Sequence, residues 1–237
     1  DQKKLIAAGS LGNEIQKINL FLIEEPENHL HKSMQIALSQ ILFTDDKYAY
    51  LFVTTHSPFI LYEMDDVNLA RIYSDRKING ISTFYKVPES YEKTRKMLNR
   101  CLSEAIFANK VLLVEGPSEY MLFSKVLSVV HPFYEADGIY ILPVDGVGFS
   151  MYCSILDELK ILIKTDNDLR SVKGKGTYSV LGFLRCNKYI GKELLPTTQL
   201  LENTISAKRT LYHENEDRLN VIRSEYHIFL SKVDLEN

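Results

Sequence analysis

The sequence predicts an α/β protein in two parts, the second built on a parallel sheet flanked by helices, and three observations carry this. Residues 17–23 and 50–55 are short apolar runs rich in β-branched residues, separated by a stretch with helical periodicity. From residue 111 onward, strand-length apolar runs alternate with helix-length segments, and such βαβ wiring gives a parallel sheet with right-handed crossovers. Two of those later runs end in carboxylates, Val111-Leu-Leu-Val-Glu115 and Ile161-Leu-Ile-Lys-Thr-Asp166-Asn-Asp168. Ligands of open parallel sheets sit beyond the carboxyl ends of the strands, so those acids are expected at one edge.

Taken in order, Lys17–Ile23 reads as a buried strand ending in Glu24-Glu25-Pro26-Glu27. Leu30, Met34, Ala37, Leu38, Ile41 and Leu42 then repeat at helical spacing. Tyr50–Thr55 is a second strand that stops at His56-Ser57-Pro58. Leu69–Tyr73 and Ile81–Val87 read as strands joined by the turn residues Asn79-Gly80, and Pro88 ends them. Glu89–Asn109 reads as one linking helix with Tyr91, Met97, Leu98, Leu102, Ile106 and Phe107 as its apolar positions. There follow strand Val111–Val114, helix Pro117–Val130 with Pro at its start, strand Ile139–Val144, helix Met151–Leu159 and strand Ile161–Thr165. A Gly and Lys rich loop at Lys173–Gly176 leads to helices over Tyr178–Ile190 and roughly Glu202–Glu225, then a strand over His227–Val233 that ends at Asp234-Leu-Glu236-Asn237. The domain division read from this pattern is 1–88, a linker helix at 89–109, and 110–237.

With 237 residues, 45% hydrophobic and 25% charged, the composition is that of a globular protein. No apolar run approaches the roughly 18 residues of a membrane span, so no membrane partner is expected. The chain begins without Met or a signal-peptide core, which reads as a start inside a longer protein. Cys101, Cys153 and Cys186 are odd in number and lack a Cys-x-x-Cys pattern, which argues against a disulfide framework or zinc site and for a reducing cytoplasm. The net charge of -3 gives no global pull towards nucleic acid. Locally, Lys160, Lys164, Arg170, Lys173, Lys175, Arg185, Lys188 and Lys192 face only Asp166 and Asp168 over that stretch. This is either a solvated basic face or, beside an acid cluster, a phosphate-binding one.

Glu119 lies four residues beyond Glu115, one helical turn, so both side chains can address one ion. Asp166 and Asp168 are two apart, which on an extended strand end projects both to the same side. Each motif alone also fits a simpler role, Glu119 as a charge at a helix start and Asp166-Asn-Asp168 as a polar turn. Together, clustered carboxylates repel and would take up protons unless a hard divalent cation such as Mg²⁺ occupied their all-oxygen environment.

This second part resembles the Toprim domain of topoisomerases, bacterial primases and several nucleases, whose pattern is a strand-end Glu-Gly followed by Asp-x-Asp. Glu115-Gly116, Asp166 and Asp168 take those places, with Gly146 in the intervening turn. The resemblance implies Mg²⁺ or Mn²⁺ at a phosphodiester. Two-metal chemistry uses ions about 3.5 to 4 Å apart. Glu115, Glu119, Asp166 and Asp168 would hold the first, and Asp234 and Glu236 the second.

In the first part, Leu20-Phe-Leu-Ile-Glu24-Glu25-Pro-Glu27 resembles the Walker B strand of an ABC-type ATPase, with Glu24 in the place of the usual Asp and Glu25 in that of the acid polarising the attacking water. Thr54-Thr-His56-Ser-Pro58 is similar to the switch histidine that senses the γ-phosphate. No Gly-x-x-x-x-Gly-Lys-[Ser/Thr] occurs, so ATP is expected as a cofactor only of the full-length protein. The fold class implied is thus the C-terminal part of an ABC-type ATPase domain followed by a Toprim domain.

That fusion resembles the OLD (overcoming lysogenization defect) family of ATP-dependent endonucleases, Gabija anti-phage nuclease subunits in particular. Leu22-Ile-Glu-Glu-Pro-Glu27, Met34-Gln-Ile-Ala-Leu-Ser39, Leu61-Tyr-Glu-Met-Asp65 and Val114-Glu-Gly-Pro-Ser-Glu119 are among the blocks that carry the likeness. It implies cleavage of double-stranded DNA gated by the ATPase part, a homo-oligomer, and a UvrD-like helicase partner. The family's lysine downstream of the Asp234 motif lies past Asn237, so the chain reads either as a piece of the nuclease or as one whose site another segment completes, and cleavage is expected of the intact protein and not of the isolated chain. The alternative class is a non-cleaving, ATP-regulated DNA-binding or assembly module with a vestigial Toprim site. A primase or topoisomerase is disfavoured, since neither a tyrosine nucleophile context nor a zinc ribbon accompanies the acids.

Overall fold

The computed structural model describes residues 20–44, 50–75, 77–144, 149–159, 161–167, 171–173, 178–197, 199–200, 202 and 204–231. By internal packing the chain divides into two compact units, Asp1–Glu63 and Met64–Asn237.

In the first unit β1 (Leu20–Glu24) pairs in parallel with β2 (Tyr50–Thr54), Glu24 opposite Thr54. A parallel pair needs a crossover, and helix α1 (Lys32–Thr44) lies between the two in sequence. The expectation of a buried strand is not met: Leu20 and Leu22 are exposed and Phe21 and Ile23, on the other side of the strand, are only partly covered. Buried Ser39 of α1 accepts a hydrogen bond from the Glu63 amide (3.1 Å), and Gln35 accepts one from the Ser57 hydroxyl (2.6 Å). Ser57 in turn caps a short 3₁₀ turn, Pro58–Leu61, by accepting from the Phe59 amide.

The second unit opens with an antiparallel hairpin, β3 (Val67–Asp75) and β4 (Lys77–Tyr85), with Val67 opposite Tyr85 and Ile72 opposite Gly80. Asn79-Gly80 is therefore inside β4 and not the turn. The observed register puts Val67, Leu69 and Arg71 on one face with Ile81, Thr83 and Tyr85, the covered face, while Asn68, Ala70, Ile72, Ser82 and Phe84 are exposed. A turn at Asn79-Gly80 would set odd positions against even ones and split that face. Arg71 ties the hairpin to the unit, donating to the backbone oxygens of Leu159 and Ala108 (3.1 Å each).

The expected linking helix is two elements, a 3₁₀ segment Glu89–Thr94 with no buried residue and α2 (Arg95–Ile106), which buries Leu98, Leu102, Ala105 and Ile106. Helical stability comes chiefly from packing an apolar face, and here that face begins only at Leu98. Buried Asn99 on α2 donates to Met64 O (2.8 Å) and accepts from the Tyr85 hydroxyl (2.6 Å), whose pKa burial pushes well up.

The βαβ alternation is borne out. Strand β5 (Lys110–Val114), helix α3 (Pro117–Val130), strand β6 (Ile139–Pro143), helix α4 (Phe149–Glu158) and strand β7 (Leu162–Asn167) follow one another. With β11 (Ile228–Leu230) the strands form a parallel sheet in the order β11-β7-β5-β6. Its core includes Val111, Leu113, Val114, Leu142, Phe149, Tyr152 and Leu156. Strand β7 runs to Asn167, so Asp166 belongs to the strand itself.

Beyond β7, strands β8 (Ser171–Lys173), β9 (Tyr178–Val180) and β10 (Gln199–Leu200) make a small antiparallel sheet in the order β10-β9-β8. Residues 178–180, expected to be helical, pair on both sides as its central strand, and the helix α5 is confined to Leu181–Ile190. The long charged helix is two, α6 (Ile205–Glu214) and α7 (Glu216–Tyr226), parted at Asn215. That buried side chain donates to Leu211 O (2.9 Å) and so competes with the helical pattern of its own backbone. His227 is left-handed (φ 56°) and ends α7, so β11 begins at Ile228. Val180, Phe183, Cys186, Leu195, Leu211, Tyr212, Leu219, Ile222, Ile228 and Leu230 form one apolar cluster under these elements.

Candidate active site

At the carboxyl end of β5 the buried Val114 accepts from the Val144 amide (2.9 Å), extending the β5–β6 pairing to the edge, and Glu115 follows. Gly116 is the N-cap of α3, Pro117 its first residue and Glu119 its third. Glu119 is buried, and one of its carboxylate oxygens accepts the Gly116 amide (3.0 Å), half of a capping box. This fixes Glu119 at the strand-to-helix junction, where the helix dipole favours negative charge. Gly116 is extended (φ -161°), so its role is not backbone freedom.

Leu113 of β5 lies opposite Thr165 of β7. Continuing that parallel register sets Asp166 level with Val114, and on its other side Asp166 pairs with Phe229 of β11. The backbone of the first Asp-x-Asp residue and Glu115 therefore share one edge of the central strands. Asp168, Asp234 and Glu236 lie outside the described residues, as do Gly146, Lys160, Arg170 and Lys175. Lys173 falls in β8. Among the described residues no three His, Cys, Asp or Glu side chains gather at a point that would hold a metal ion.

Arg185 on α5 donates from Nη1 to Glu115 Oε1, a pair about one-third exposed on each side. In the sequence Arg185 stands out only as one charge of the basic stretch from Lys160 to Lys192. Partner and acid are 70 positions apart, and only the packing of α5 joins them. Tyr189, one helical turn further along α5, packs its ring edge-on against Phe149 (centroids 5.3 Å). Its hydroxyl is pushed up to about 12, first by burial, with Arg185 pulling down and Cys186, Glu115 and Cys153 pushing up. Burial likewise pushes the Cys153 thiol up to about 12, which leaves it unreactive at neutral pH. Glu115 is thus already a cation acceptor, and its oxygen-only donors suit hard divalent ions.

In the first unit Glu24 ends β1 with an exposed side chain. Glu25 is left-handed (φ 41°), an uncommon conformation for a residue with a Cβ. Its amide donates to Thr54 O (2.9 Å), which locks the strained turn onto the end of β2. Its Oε1 meets His56 Nε2 at 3.1 Å and its Oε2 accepts from the Asn28 side chain (3.2 Å). The expected acid and histidine are therefore in contact, on neighbouring strand ends.

The sequence pattern assigns Glu27 no role of its own, yet the structure does. Its Oε1 accepts both the Thr55 hydroxyl and the His56 amide at 2.7 Å, while its buried Oε2 has no hydrogen-bond partner among the described residues. Burial pushes its carboxyl up, but the Thr55, His56 and Ser57 hydrogen bonds outweigh this and hold it below the ordinary glutamate value. Nothing in the spacing distinguishes Glu27 from a third acid of a turn.

Residues 106–168 match the family model for the Toprim domain of overcoming-lysogenization-defect-like proteins. The chain is 45% identical to Endonuclease GajA of Bacillus cereus strain VD045 over 234 residues, 93% of this chain and 40% of the relative. It is 25% identical to Endonuclease GajA of Bacillus cereus strain HuB5-5 over 193 residues, 65% of this chain and 26% of the relative. The chain thus spans less than half the length of the curated relatives it matches. The C-terminal region of the Burkholderia pseudomallei OLD protein overlaps it at a TM-score of 0.39 with 20% identity, over 55% of this chain and 57% of that one. No helix among the described residues is long and apolar enough to cross a membrane. The Toprim match spans both β5 and β7 and the identity to an endonuclease GajA runs along nearly the whole sequence, so residues 106–168 carry an OLD-like Toprim domain.

Proposed function

We propose that the chain supplies the nuclease site, and part of the regulatory ATPase, of a metal-dependent endonuclease that cuts double-stranded DNA in anti-phage defence. The observation that carries this reading is the shared edge of β5 and β7, with Glu115 after one strand and Asp166 in the other, inside the stretch that matches the Toprim model. Support for nuclease chemistry also comes from the relatives, both named endonucleases.

Glu115, Asp166 and Asp168 would hold one Mg²⁺ or Mn²⁺ and Asp234 with Glu236 a second, with Glu119 beside Glu115. Such ions, when bound, would supply water activation and offset for the charge on the leaving oxygen. The chain's own residues do the rest. Glu119 fixes the turn from which Glu115 projects, so little reorganisation is left for the reacting complex. Arg170, Lys173 and Lys175 contact backbone phosphates, which supply most sequence-independent affinity. In the first unit, with ATP bound to the intact protein, Glu25 would polarise the attacking water and Glu24 would help hold Mg²⁺. His56, held to Glu25 at 3.1 Å, reads the γ-phosphate. ATP is thus a ligand of the intact protein, working as a cytoplasmic homo-oligomer with a UvrD-like helicase.

The test separates chemistry from binding. In the intact protein Asp166→Ala and Asp234→Ala should each abolish nicking of supercoiled plasmid while DNA affinity stays nearly unchanged. Neutralising Arg170, Lys173 and Lys175 together should weaken binding and flatten its salt dependence. Full nicking by Asp166→Ala would overturn the nuclease reading.

A further inference from the structure

We propose that Arg185 is a positioning residue of the metal site: its guanidinium is an internal cation that holds the Glu115 carboxylate in the metal-free protein and gives that carboxylate up when a divalent ion binds. The inference rests on the reading of Glu115 as a metal ligand. Arg185 Nη1 donates to Glu115 Oε1, and both side chains are about one-third exposed. A carboxylate in a half-buried edge without a partner cation costs desolvation energy. Arg185 meets that cost with a fixed, planar donor that remains charged at any working pH.

The placement of Arg185 is built into the fold. It lies on α5, whose neighbouring side chains Phe183, Cys186 and Asn187 are buried. Asn187 clamps the end of the helix by accepting from the Leu194 and Leu195 amides (3.1 and 2.9 Å) and donating to Leu195 O (2.7 Å). Tyr189, one turn on, is wedged against Phe149. The helix is thereby anchored, and the long Arg185 side chain reaches from it to Glu115. A divalent ion and a guanidinium on the same carboxylate repel each other strongly where water is partly excluded, so the two cations exchange.

Manganese calorimetry on the intact protein without DNA reads this directly. Arg185→Gln removes the competing charge and should bind Mn²⁺ roughly fivefold more tightly, the worth of an exposed ion pair, while Arg185→Lys should stay near the wild-type affinity. Unchanged or weaker Mn²⁺ binding by Arg185→Gln, with uptake still dependent on Glu115, would overturn the exchange alone. Equal uptake by wild type and Glu115→Gln would remove the metal site and the proposal with it. A readout on the wild-type protein covers the case of a variant that does not fold. The ¹⁵N signal of the Arg185 guanidinium should shift as Mg²⁺ is raised to saturation, and a signal that stays fixed would contradict the exchange.

Discussion

Glu27 accepts two hydrogen bonds from the Thr55-His56 segment and so joins the end of β1 to the residue that touches Glu25. Its carboxyl is held below the ordinary value, so its contribution to stability is complete above that value and is lost as pH falls through the folded one. Glu27→Gln should lower stability by about 1 kcal/mol at neutral pH, with solvent screening limiting the effect. The gap from wild type should close in the acid range; urea titrations at neutral and acid pH would check this, and a gap that widened on acidification would contradict it. Single residues were legible where chemistry and strand position coincide: Glu25, His56 and Glu115 are acids or a histidine at strand ends. Glu27 and Arg185 were not, because their partners lie 28 to 70 positions away and are chosen by packing.

Elements with a strong period were read to within a residue or two, α3 from its first residue to its last. Those that failed did so where tertiary pairing outweighed a local signal. Asn79-Gly80 is the strongest hairpin signal in the chain, yet the register follows the buried face of Thr83 and Tyr85. Tyr178–Val180 became a strand because it had neighbours on both sides. At the start of β5, Gly138 is left-handed (φ 72°) and its oxygen accepts both the Asn109 and Lys110 amides (2.8 and 3.1 Å). A Cβ there would stand 2.6 Å from the Asn109 side-chain nitrogen, whereas at the equally left-handed Gly191 it would meet nothing within 4 Å. Gly138→Ala should therefore cost about 2 kcal/mol or more, and Gly191→Ala only about 1 kcal/mol. Urea midpoints of the two variants would check the order, and equal losses would show that Asn109 yields without cost.

On the scale of the whole molecule, the sheet order β11-β7-β5-β6 sets the end of β5, which Glu115 follows, beside Asp166 of β7. The alternation of strands and helices made the parallel sheet legible; the order of its strands was not, since it depends on which crossovers pass over β5. The first unit brings Glu25 to His56 but carries no phosphate-cradling Gly-x-x-x-x-Gly-Lys-[Ser/Thr]. The 237-residue chain alone should show no ATP turnover above background. Turnover that disappeared in Glu25→Gln would contradict this. The proposed nuclease edge is tested most directly by the single-turnover rate of plasmid nicking by the intact protein for Glu115→Gln beside wild type, in saturating Mg²⁺ with protein in excess over DNA so that association is not limiting. Loss of a ligand that stabilises developing charge should remove several kcal/mol, a rate lower by about 100-fold or more. A Glu115→Gln rate within about twofold of wild type, well under 1 kcal/mol, would contradict the assignment of this edge as the cleavage site.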